Sequence, residues 1–171
     1  MAEPGQTNML YTVKLATCLA LSSLAISDLL FRRLPNSAVL VVAGLYCVAA
    51  ALVGIGVSTF FSHLGMAASA FLSSALLFRF GWIAGGDVKL AAAVFLWAGP
   101  SLAAPVFVIV SVCGLILGLA IIAVDPLYRR IEALHWPSCL SHARGVPYGI
   151  ALALGGGAAV WAPLALSTPI V

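Results

Sequence analysis

Residues 85–124 read GGDVKLAAAVFLWAGPSLAAPVFVIVSVCGLILGLAIIAV, and no charge interrupts the 35 positions from Leu90 to Val124. At 1.5 Å per residue a single helix over that run would extend about 50 Å, against a hydrocarbon core of about 30 Å. The run contains Gly99-Pro100-Ser101, a break signal. It therefore divides into a short fourth span, Val88–Ala98, and a full fifth span, Leu102–Val124, which Asp125-Pro126 stops. The fourth span covers only about 17 Å by helix rise, so it must be sunk into the bilayer, or the bilayer must thin around it.

Composition points the same way. Of 171 residues, 63% are hydrophobic and 8% charged, where a soluble domain carries about a quarter charged residues. The chain reads as one integral-membrane domain over residues 1–171, all-α, a polytopic helix bundle in contact with the lipid bilayer. The net charge of +3 is modest and the basic residues fall in pairs, which leaves nucleic-acid binding without support. Cys18, Cys47, Cys113 and Cys139 form no CxxC and no Cys/His ligand spacing. They read as packing residues rather than disulfides or a zinc site, and no metal or other cofactor is expected.

The remaining spans follow from the apolar runs and their stops. Lys14 followed by Leu15–Ile26 has the outline of a signal peptide, but thirteen residues precede the lysine and the run continues into Asp28 and Arg32-Arg33. It is read as a retained first span, Asn8 to about Leu30. Pro35 makes Leu34 a poor helical residue, and Asn36 is the expected N-cap of a second span, Ser37–Val57. Ser58–Leu64, with His63, reads as a short connection. A third span, Gly65–Phe78, closes at Arg79 and is followed by the glycine-rich loop Phe80–Gly86. After the polar connection 125–146 a sixth span runs from about Val146 to Leu166, with Gly155-Gly156-Gly157 at its middle. Those glycines, and Gly114 with Gly118 in the fifth span, are small-residue faces for helix packing.

Six crossings place connections 31–36, 79–87 and 125–146 on one side. That side carries Arg32, Arg33, Arg79, Lys89, Arg129, Arg130 and Arg144, seven of the eight basic residues. By the positive-inside rule this side is cytoplasmic and both termini are periplasmic. Asp28, at the inner end of an inward-running helix, and Asp87, at the inner start of an outward-running one, then share one membrane depth.

An acid at that depth is costly and calls for a reason. Taken singly, Asp28 could pair with Arg32 at i,i+4, and Asp87 could N-cap the fourth helix. The first account fits less well, because a carboxylate near a helix C-terminus opposes the helix dipole. Taken together, two carboxyls a few Å apart can share one proton: one activates water, the other donates to a carbonyl oxygen. Gly85 and Gly86, lacking side chains, would let a substrate backbone approach Asp87 closely.

Asp28 followed by Arg32-Arg33-Leu34-Pro35-Asn36, then Gly86-Asp87-Val88-Lys89-Leu90, then Pro147-Tyr148-Gly149, resembles the type IV prepilin peptidase family. Its members are polytopic aspartyl proteases of the bacterial inner membrane, also called GxGD proteases, and the resemblance covers essentially the whole chain. It implies that Asp28 and Asp87 are catalytic and that no cofactor is needed. Ala84 stands where the first glycine of the Gly-x-Gly-Asp pattern would fall. Larger members carry a cytoplasmic segment with CxxC pairs and a second, N-methylating activity. Without such a segment the chain is similar to the short, peptidase-only CpaA/TadV type that serves Flp (tight-adherence) pili. The implied substrate is an Flp-type prepilin, cut after the Gly that ends its basic leader at the cytoplasmic face; pilus-assembly machinery is a further implied partner.

Around the acids, Lys89 lies about 200° round a helix from Asp87 and reads as an interface anchor rather than its ion partner. Pro35, Asn36, Pro147 and Tyr148 are candidates to line the site. Asp125, Glu132, His135 and His142 read as solvated. Two other functions use the same features. One is a proton- or cation-coupled transporter subunit, since broken helices build midplane ion sites; against it, both acids map to the membrane edge and the halves show no inverted repeat. The other is a non-catalytic assembly subunit.

Overall fold

The computed structural model describes residues 4–32, 34–130 and 148–162. These form five helices and no strand: α1 (Pro4–Phe31), α2 (Asn36–Val53), α3 (Val57–Arg79), α4 (Gly85–Arg130) and α5 (Tyr148–Trp161). α1 to α4 each contain a segment long and apolar enough to cross a membrane, and α5 is a shorter apolar helix. The expected continuation of the sixth span to Leu166 lies outside the described residues, as do Arg33 and positions 131–147, which hold Glu132, His135, Cys139, His142, Arg144 and Pro147. The first part of the expected connection is helical instead: α4 runs through Asp125-Pro126 to Arg130, so that pair does not stop the fifth span.

The break in the long run falls where Gly99-Pro100 places it. Gly99 adopts φ 59°, ψ −174° inside α4, so the limbs 85–98 and 100–130 bring the helical segments to six among the described residues. Pro100 has no N–H, and the carbonyl of Leu96, four residues earlier, loses its helical partner. His63 replaces it: its Nδ1–H donates to the Leu96 carbonyl at 2.9 Å. A Cβ on Gly99 would run into the His63 ring, so this position demands glycine for space as well as for φ.

His63 corrects the expected connection at Ser58–Leu64. Those residues are helical, and the turn between α2 and α3 is confined to Gly54–Gly56. Gly54 ends α2 in the left-handed conformation, φ 69°, which glycine adopts without Cβ strain. Thr59 and Ser62 do not make the segment a loop, because in a membrane helix a hydroxyl bonds back to its own turn. Ser62 Oγ does this to the Thr59 carbonyl at 2.7 Å. His63, 5% exposed, then faces inward. Tyr46 of α2 stacks on it at 5.4 Å and meets Trp97 of α4 edge-on at 5.7 Å. Trp97 Nε1 donates to the Val42 carbonyl at 2.9 Å. This aromatic knot joins α2, α3 and the first limb of α4.

That first limb is the centre of the bundle. Leu90 and Val94 are fully buried, and Val88, Ala91, Ala93 and Phe95–Ala98 nearly so, as expected for a helix apolar on all sides. The outer helices instead expose large apolar side chains, Leu19, Leu40, Leu72 and Leu115 among them. A soluble protein would bury such surface; here it is the face presented to lipid. The protein is a multi-pass membrane helix bundle.

α5 approaches the centre through glycine. A Cβ on Gly156 would lie 3.0 Å from both Leu21 of α1 and Val94 of α4, so this contact admits no larger residue without displacement. Beyond the other end of α5, buried Lys14 donates through Nζ to the Ala162 carbonyl at 3.3 Å. A cation there complements the negative end of the helix dipole.

Candidate active site

Asp28 occupies the last turn of α1 and Asp87 the first turn of α4. They are 6% and 5% exposed, and both line one cavity of about 980 Å³. The cavity is bounded by the α1–α2 turn (Arg32, Leu34, Pro35, Asn36) and by Ala84, Gly86 and Lys89 of the α4 entry. The two carboxyls are near enough to interact electrostatically, and Arg32 lies within electrostatic reach of both.

Each carboxyl is held differently. Asp28 Oδ2 accepts the backbone N–H of Gly149 at 2.9 Å. Gly149 is the second residue of α5, so this N–H is one of the orphan donors of a helix N-terminus, aimed at an anion. Asp28 therefore opposes the dipole of its own helix but faces the favourable end of another. A Cβ on Gly149 would lie 2.7 Å from that same oxygen, so the bond requires glycine. Asp87 is not an N-cap: α4 begins at Gly85, and the backbone N–H of Asp87 donates to the Ala84 carbonyl at 3.0 Å. Its Oδ1 is buried and has no hydrogen-bond partner among the described residues. Buried polar atoms are nearly always partnered, and an exception calls for a functional account.

The turn that delivers Asp28 is strained. Arg32 has φ 52° and is the one non-glycine residue with positive φ among those described. Its N–H donates to the Asp28 carbonyl at 3.0 Å, which closes α1. Leu34 then reaches across to α4, where a Cβ on Gly86 would come within 3.0 Å of it. The close approach that Gly86 permits is thus to this chain's own Leu34. Asn36 is not the N-cap of α2: Pro35 takes that position without a side-chain bond. Proline restricts the turn to an extended entry, and the Asn36 side chain is released to accept from Lys89 Nζ at 2.9 Å. Lys89 thereby ties α2 to α4 at the rim and does not pair with Asp87. Pro35 lines this cavity, and Tyr148 lies at another. Tyr148 packs against Gly114 and lines a second cavity, of about 580 Å³, to which Asp87 also contributes.

Gly149 stands in the sequence as the last residue of the Pro147-Tyr148-Gly149 motif, which by itself assigns it no role. Proline two residues before it is a helix-start signal, and the first turn of a helix leaves its N–H groups without partners in their own helix. The recipient of the Gly149 N–H, 121 residues earlier, carries no local mark.

The fold and this cavity define a class: a multi-pass membrane protein with two buried carboxyls converging at one end of a helix bundle. The chain belongs to the type IV leader peptidase family, whose model matches residues 15–119, a stretch that includes both aspartates. No curated protein and no solved structure matches the chain. Membership in a family of peptidases leaves the ion-coupled transporter reading without support.

Proposed function

We propose that this chain is an aspartyl endopeptidase that removes the basic leader from Flp-type prepilins. It works at the cytoplasmic face of the bacterial inner membrane, with both termini periplasmic. One observation carries the reading: Asp28 and Asp87, delivered by separate helices, line a single cavity. The pair holds one proton. The ionised carboxyl takes a proton from water as the oxygen attacks the scissile carbonyl, and the protonated one donates to the carbonyl oxygen. Collapse of the tetrahedral intermediate releases the amine, which receives the first proton. Arg32, within reach of both acids, balances the charge of the pair.

The test is co-expression of a tagged prepilin with the wild type, Asp28→Asn and Asp87→Asn. Leader removal is expected with the wild type and with neither near-isosteric variant, while all three accumulate equally in the membrane. Normal cleavage by either Asn variant rules out the two-carboxyl mechanism.

A further inference from the structure

Asp87 belongs to two cavities. Besides the mixed one it shares with Asp28, it closes the end of an apolar cleft between α3 and the second limb of α4, to which Tyr148 and Leu152 of α5 also contribute. The floor of this cleft is the row Asp87, Ala91, Phe95 on the first limb of α4. These positions are spaced one helical turn apart, so the row descends about 12 Å from the carboxyl into the bundle. One wall is a face of α3 with small residues at Ser69, Ala70, Ser73 and Ser74; Phe107 and Ser111 stand opposite.

The chemistry of this wall selects its occupant. The hydroxyls of Ser69, Ser73 and Ser74 donate to carbonyls of their own helix, those of Met66, Ser69 and Ala70. They offer no spare donor to a polar ligand, and their small size lets another backbone come close. Small residues along a membrane helix are the usual seat for a second apolar helix. A basic leader cannot enter such a cleft, because a charge in hydrocarbon costs several kcal/mol.

We propose that the cleft between α3 and the second limb of α4 seats the apolar segment of the substrate that directly follows the scissile bond. The basic leader then remains on the polar side of Asp87. The assignment rests on the peptidase reading above and adds where the product side of the substrate lies. It takes about eight helical residues after the cut to follow the floor from Asp87 to Phe95. Specificity at those positions is for apolar side chains along one helical face.

The probe is a tagged prepilin whose cut is followed by an apolar stretch, and a second version with four of those apolar residues changed to serine. Ser73→Trp fills the cleft; Leu40→Trp, on the lipid-facing side of α2 where Leu40 is 70% exposed, is the control. Ser73→Trp is expected to lower cleavage of the apolar precursor at least tenfold, mainly through KM, and Leu40→Trp to change it less than twofold. The serine-substituted precursor is expected to be cut poorly by the wild type and no worse by Ser73→Trp. Because a tryptophan can disturb folding, a benzophenone amino acid replaces Ser73 in an Asp28→Asn background, where capture does not depend on cleavage. Crosslinking to the precursor just after the cut supports the cleft. Crosslinking to lipid alone, or undiminished cleavage by Ser73→Trp, overturns it and leaves the peptidase intact. If the wild type cleaves neither precursor, the peptidase reading itself falls.

Discussion

The backbone N–H of Gly149 and Oδ2 of Asp28 lie 2.9 Å apart, joining the start of α5 to the end of α1. The contact lets a buried acid sit at the wrong end of its own helix, by lending it the N-terminus of another. It also makes α5 part of the site, although the residues matched to the family end at 119.

Gly149→Ala tests this contact. A Cβ would lie 2.7 Å from Oδ2 and 2.8 Å from Cβ of Asp28, so the aspartate must swing away. Misplacing a reacting group by about 1 Å costs on the order of 10²-fold in rate. Leader removal is expected to fall by about that factor in a timed co-expression assay. Membrane accumulation is expected to stay within twofold of wild type, because α5 keeps its glycine contact at Gly156.

The two aspartates act as one unit in the proposed chemistry, and the energetics of units are not additive. The double variant Asp28→Asn, Asp87→Asn is therefore expected to be no slower than the slower single variant. Asparagine at 28 can turn its carbonyl oxygen toward the Gly149 N–H, so the fold loses little. Single-turnover cleavage of purified precursor in detergent measures the three variants side by side. Multiplying losses would show two independent roles.

Arg32 combines a backbone effect and a charge effect, and two substitutions separate them. Its left-handed φ of 52° costs an L-residue about 1–2 kcal/mol that glycine does not incur. Arg32→Gly is expected to leave stability unchanged or raised, and to slow cleavage by removing the positive charge near both acids. Arg32→Lys keeps a charge and the strain, and is expected to cleave faster than Arg32→Gly while melting no higher. Thermal melts in detergent and cleavage rates read the two effects independently. A glycine variant of wild-type speed would leave Arg32 only a turn-former.

Much of this architecture is legible in the sequence because the bilayer makes it so. The presence of long apolar helices follows from uncharged runs, the break at Gly99 from a Gly-Pro pair, and the placing of Asp28 and Asp87 at one end of the bundle from counting crossings; the bounds of the third and fifth spans do not follow. What escaped is side-chain geometry and long-range partnership. Thr59, Ser62 and His63 resemble a loop by polarity alone, whereas hydroxyls bonded to their own turn and an inward imidazole are compatible with helix. Asn36 resembled an N-cap because its distant partner, Lys89, could not be seen. Gly54 and Gly56, two glycines bracketing one residue, carried the true turn signal.

The break in α4 is held by His63, and its energetics can be graded. His63→Phe keeps the ring that stacks on Tyr46 but removes the donor to the Leu96 carbonyl, which Pro100 cannot supply. An unsatisfied buried carbonyl costs about 1–3 kcal/mol, so this variant is expected to melt several degrees lower in detergent. Gly99→Ala is expected to be worse, since it forces a Cβ into positive φ and into the imidazole together. Combining it with His63→Ala opens the space and is expected to recover part of the loss, leaving the backbone strain and the lost hydrogen bond. If Gly99→Ala melts like wild type, the ring does not press on the break and the helix bends there for another reason.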